Sequence, residues 1–142
     1  LLPALFPTIS VPAAVYQEVV VQGASQPGAL KLANAAWLNV QPVQNENSVQ
    51  YLLAMLEQGE AEAIVLAQEL HADWLLLDEI KARVTARRLG LNVIGVDGIL
   101  VLAKKRGLLP AVGPLLNNLL SHRFRMSSQV IHATLAAAGE QP

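Results

Sequence analysis

Residues 59–79 read GEAEAIVLAQELHADWLLLDE, and four carboxylates punctuate that stretch. Glu60 and Glu62 stand where a helical pattern opens, and Asp78 and Glu79 stand where the apolar run stops. Further upstream, Glu18 lies in the segment that follows TISV. Carboxylate clusters suit Mg²⁺ or Mn²⁺, hard cations that take oxygen ligands and keep several waters. Such ions activate water and neutralise the oxygens of a phosphoryl displacement. Each acid also has an ordinary structural reading. Glu60 and Glu62 would favour the positive end of a helix dipole, and Asp78 would make a good helix N-cap. Taken singly, the structural reading is the commoner case. Their joint occurrence on one expected rim points toward a site.

Charge is divided along the chain. Residues 1–79 hold nine acids and one base, Lys31, whereas residues 80–142 hold nine bases and two acids, Asp97 and Glu140. A net charge of −1 conceals that split. It is what an acidic cleft beside a phosphate-binding rim would produce, or what two halves that pair their charges on folding would produce. Lys81, Arg83, Arg87 and Arg88 follow Asp78 directly and could line its flank, since binding through phosphates is largely independent of sequence. Solvated helix faces are the alternative. Aromatic residues, at 4% of the chain, are too few for a base-stacking platform. His71, His122 and His132 match no metal spacing, and Trp37 and Trp74 are expected in the core.

The positioning elements follow from pattern. TISV (8–11) is a β-branched strand, with Pro12 opening a helix over PAAVYQEVVVQ. GASQPG (23–28) is a loop, a short helix is expected over 29–36, and WLNVQPV (37–43) reads as an edge strand. Asn47 or Ser48 should cap a helix that Gly59 interrupts. WLLL (74–77) is continuous enough for a strand covered on both faces. A helix from Glu79 to Leu89 should stop at Gly90, NVIGV (92–96) should form the next strand, and Asp97 should cap a helix ending at Gly107. Further helices are expected from Pro110 and from Ser127 to Ala138. Strand–helix alternation without hairpin signals predicts a parallel α/β sheet, in one domain spanning 1–142 with a helical tail over about 110–142. Ligands should gather beyond the carboxyl ends of such strands, where Asp78 sits.

Composition excludes several classes. At 53% hydrophobic and a mean hydropathy of +0.38, the chain suggests a buried sheet and a subunit interface, with LLAML and VIHATLAAAG as candidate faces. No apolar run spans a bilayer. The absence of cysteine removes disulfides, thiolate zinc and thiol nucleophiles, and fits a cytoplasmic location. G-x-S-x-G, P-loop and G-x-G-x-x-G signatures are absent.

The segment GEAEAIVLAQELHADWLLLDEIKARVTARRLGLNVIGVDGILVLAKKRGLL, with LLPALFPTISVPAAVYQEV upstream, resembles the PIN-domain-like proteins of the DUF3368 group, relatives of the VapC toxin ribonucleases. That resemblance covers nearly the whole chain. It implies a three-layer α/β/α fold, Mg²⁺ or Mn²⁺, cleavage of single-stranded RNA, homodimers, and a small antitoxin protein as partner. Glu18, Glu62 and Asp78 match the family's acids, with Glu60 as an auxiliary ligand. Ala82-Arg83 stands where the family commonly has a glycine-arginine pair. PIN domains begin with a central strand carrying an aspartate, and this chain starts after it, at Leu1. The strands TISV and WLLL are therefore expected about two strand spacings apart, roughly 10 Å, and not bonded to each other. A non-catalytic PIN-like module that binds RNA or protein is the alternative. A flavodoxin-like ligand binder is a third, should the acids prove dispersed.

Overall fold

A computed structural model describes residues 2–18, 36–121 and 128–140. Element order is α1 (Leu2–Leu5), β1 (Ile9–Pro12), α2 (Ala13–Tyr16), β2 (Leu38–Gln41), α3 (Glu46–Leu52), α4 (Gln58–Leu70), β3 (Leu75–Leu76), α5 (Ile80–Arg88), β4 (Val93–Ile94), α6 (Val96–Lys105), α7 (Gly113–Ser121) and α8 (Ser128–Ala137). The loop and helix expected over 23–36, and the helix expected beyond Glu18, lie outside the described residues apart from Ala36, which is in a turn.

All described strand pairings are parallel, as the alternation of strands and helices requires. β1 pairs with β2 from Ile9 opposite Leu38 to Pro12 opposite Gln41. β3 pairs with β4 through Leu75 opposite Val93 and Leu76 opposite Ile94. Among the described residues these are two separate two-stranded sheets, and β1 is not bonded to β3. Helix α4 joins the two halves by packing against both β1 and β3, and against α2, α3 and α5 as well. That position explains its composition. Ala61 and Val65 face α3 beside Val49, while Ile64 and Ala67 meet Leu75, Leu77, Ala82 and Ala86. A helix buried on opposite sides has no broad polar face to offer. Ile64 is fully buried, so truncation to alanine should cost about 2–5 kcal/mol.

Several local expectations are corrected. Pro12 ends β1 with ψ 154 and does not open the helix, because its backbone is still in register with Gln41. Asn45, not Asn47 or Ser48, caps α3, its side chain accepting from Ser48 N. Gly59 does not interrupt a helix; it lies within α4, buried, where a Cβ would come 2.9 Å from Glu18 Oε1 and 3.2 Å from Val15 Cγ2. The glycine gives α2 room to approach. Gly95, not Asp97, precedes α6, and α7 starts at Gly113, three residues beyond Pro110. Trp74 and Trp37 are 50% and 37% exposed and are not core residues. Leu76 is exposed between buried Leu75 and Leu77, so β3 is covered on one face only.

Candidate active site at the strand ends

Two neighbourhoods receive the acids singled out by the sequence. The first is the α2–α4 junction. Glu62 lies in the second turn of α4, and its Oε1 accepts from Ala14 N at 3.1 Å while Oε2 accepts from Gln58 Nε2 at 2.6 Å. Ala14 is near the start of α2, where backbone donors lack helical partners, so Glu62 satisfies one from across the fold. Glu18 borders the same junction, its carboxylate against Gly59. Glu60 has a different task. It forms a capping box with Glu57, accepting from Glu57 N at 3.2 Å, and so secures the start of α4.

The second neighbourhood is the carboxyl end of the β3–β4 sheet. Asp78 emerges there, exposed, directly after the buried Leu77. It does not cap the helix that follows it. Glu79 does so, accepting from Ala82 N at 3.0 Å. Asp78 Oδ1 instead reaches across to α6 and accepts from Val96 N at 3.0 Å. Gly95 offers no side chain to cap that helix, so Asp78 replaces it. Arg83 stands beside this contact: its Nε donates to Leu77 O at 2.7 Å and its Nη2 lies 3.4 Å from Asp97 Oδ1.

Electrostatics sharpen the picture. Among the described residues the two ion pairs are Arg83–Asp97 and Lys104–Glu140, so the acids engaged are those of the basic half itself. Among the described residues the acids of 1–79 form no ion pair with that half. Arg106 donates to Leu5 O at 3.0 Å. Lys81, Arg87 and Arg88 are exposed, the two arginines in the last turn of α5, where positive charge also suits the helix dipole. Lys81 and Glu60 share an open depression of about 450 Å³, lined also by Met55, Leu56, Glu57 and Glu79. Among the described residues the strongly displaced acidity lies elsewhere. Glu140 is lowered to about 2 because it accepts from Val112 N, the Lys104 ammonium and Gly113 N.

Of the residues predicted to form the site, Glu18 and Glu62 come to one junction and Asp78 stands at the end of β3. Among the described residues no three Asp, Glu or His side chains are gathered so as to hold a metal ion. The donor chemistry of these carboxylates suits a hard divalent ion, whereas Glu62 and Asp78 already accept hydrogen bonds within the protein. Sequence reasoning missed Gly95, Asp97 and Glu140 as partners. Asp97 and Glu140 did carry a signal, as the only acids in a basic half.

A parallel α/β arrangement with acids at strand ends is the setting of a hydrolytic or ligand-binding site at the sheet's carboxyl edge. In the comparison with protein families, the model of the family DUF3368, PIN domain, matches residues 1–140, and the chain belongs to that family. No curated protein and no solved structure matches the chain. PIN domains are nuclease-type proteins that bind RNA and generally use divalent metal ions. Among the described residues no helix is long and apolar enough to cross a membrane.

Proposed function

We propose that this protein is a metal-dependent endoribonuclease that hydrolyses phosphodiesters of single-stranded RNA, as the toxin component of a toxin–antitoxin pair related to VapC. What supports the reading most is the PIN family match over residues 1–140. Asp78 at the carboxyl end of β3, where parallel sheets expose their ligands, agrees with it. Glu18, Glu62 and Asp78 would hold Mg²⁺ or Mn²⁺, with Glu60 auxiliary. When bound, that ion supplies an activated water and neutralises charge on the phosphoryl oxygens. Lys81, Arg87 and Arg88 attract the RNA backbone through charge without reading its sequence. The active unit is one domain spanning 1–142, acting in the cytoplasm as a homodimer controlled by a small antitoxin protein.

Cleavage of single-stranded RNA in Mn²⁺, lost in Asp78→Asn, tests the reading. Full-rate cleavage by that variant would overturn the site assignment. A second reading, a non-catalytic PIN-like module binding RNA or protein, is favoured by one observation: Glu62 and Asp78 act as capping groups, and no three acids gather among the described residues. RNA retention without cleavage in either Mg²⁺ or Mn²⁺ would select it.

A further inference from the structure

We infer that Arg83 is a positioning residue, a brace that fixes the end of β3 against the start of α6 and thereby sets where the Asp78 carboxylate stands. Sequence pattern groups Arg83 with Lys81, Arg87 and Arg88 as a phosphate contact, but its surroundings separate it from them. Those three side chains are exposed, whereas the Arg83 side chain is 22% exposed and that of Asp97 is 31% exposed.

The brace is built from both sides. On the β3 side, Arg83 Nε donates to the Leu77 carbonyl at 2.7 Å, one residue before Asp78. On the α6 side, Nη2 meets Asp97 Oδ1 at 3.4 Å. Between these anchors Leu77 N donates to Ile94 O at 3.1 Å, and Val96 N donates to Asp78 Oδ1 at 3.0 Å. Leu77–Asp78 and Ile94–Asp97 are therefore tied at successive points. The guanidinium is suited to this because its planar fork can serve two acceptors in fixed geometry, which an ammonium cannot.

Gly95 supplies independent support. Its φ of −101 is open to any residue, so no backbone demand explains the glycine. Space does. A Cβ at this position would overlap the Arg83 guanidinium and crowd Asp97 Oδ1. Glycine at 95 thus provides the seat in which the guanidinium lies. Asp78, whose Oδ1 caps Val96, depends on both partners remaining in register.

The catalytic consequence rests on the nuclease reading; the mechanical one does not, and amide exchange separates them. In the intact protein the Val96 amide is held by Asp78, a bond that a free helix start would lack. Arg83→Ala should accelerate Val96 exchange by roughly tenfold, the scale of one ordinary hydrogen bond, while the Ile64 and Ala67 amides of α4 keep their rates. Gly95→Ala should reproduce that change and add little in the Arg83→Ala background. Arg83→Lys, which keeps charge and most of the bulk, guards against a fold too weak to measure and should also accelerate Val96. Unchanged Val96 exchange, or acceleration shared equally by α4, would overturn the brace. In RNA cleavage, Arg83→Lys should lower kcat with KM unchanged. A raised KM at constant kcat would make Arg83 an RNA contact and overturn the inference. Cleavage that survives Asp78→Asn sinks the nuclease site instead, and leaves the brace to be judged by Val96 exchange alone.

Discussion

At the start of α7, Glu140 uses both carboxylate oxygens: Oε1 accepts from Gly113 N at 3.0 Å, and Oε2 accepts from Val112 N at 2.7 Å and Lys104 Nζ at 2.9 Å. At the start of α6, Asp78 makes the same kind of contact with one oxygen only, to Val96 N. Both are acids brought to a helix N-terminus from elsewhere in the chain. Glu140 is engaged by three donors and joins α6, the start of α7 and the end of α8. Asp78 is exposed and keeps Oδ2 without a hydrogen bond among the described residues. Glu140, held by three donors that include two backbone amides, is committed to the fold, while Asp78 can meet a ligand through Oδ2 without giving up its cap. The difference lies in how many donors the tertiary fold delivers to each.

The largest expected effect breaks the comparison on the Asp78 side. Asp78→Asn preserves shape and an acceptor for Val96, so Tm should change little, while RNA cleavage should fall about 10²-fold or more, the scale of a group acting directly in the reaction. A parallel loss of Tm and cleavage would place Asp78 with Glu140 as a structural acid.

Next comes the Glu140 side. Glu140→Ala leaves the start of α7 uncapped and Lys104 unpaired, and should lower Tm by a few degrees. Cleavage measured below the melting range should be unaltered. A variant that melts like the parent would show that the three hydrogen bonds contribute nothing net.

Acidification provides a graded version of the same test. The folded acidity of Glu140, about 2, lies below its ordinary 4.5. Its contribution is therefore fully present above about 4.5 and is lost as pH falls toward about 2. In that window the parent should lose stability more steeply than Glu140→Gln, as read by chemical denaturation at each pH. Identical slopes would contradict the assignment.

The smallest effect concerns the exposed bases. Replacing Lys81, Arg87 and Arg88 by alanine should weaken RNA binding uniformly across sequences. The salt dependence should become shallower, by about one unit of slope for each phosphate that is no longer neutralised. Binding titrations at three salt concentrations would measure it, and an unchanged slope would remove these residues from the RNA face.

Much of the fold was legible because period and punctuation are local. The apolar spacing of Ile64 and Ala67, and the glycine stops at 90, 107 and 139, each with positive φ, mark elements without regard to distant residues. The resemblance carried by GEAEAIV and LLLDE named the family. What those acids touch was not legible. Glu62 meets Ala14, Asp78 meets Val96 and Arg83 meets Asp97, pairings separated by 48, 18 and 14 residues, and each depends on how β3, β4, α2 and α4 pack. Gly59 and Gly95 show the same limit from the backbone side. In sequence one reads as a helix break and the other as a strand residue. Only the approach of Val15 to the first and of the Arg83 guanidinium to the second explains why a side chain is excluded. The sequence by itself determined the elements and the acids available to them, because helix stops, strand runs and charge are properties of neighbours. Tertiary packing alone decided which carboxylates are consumed as caps and which keep an open oxygen, because a hydrogen bond requires a donor within about 3 Å whatever its position in the chain.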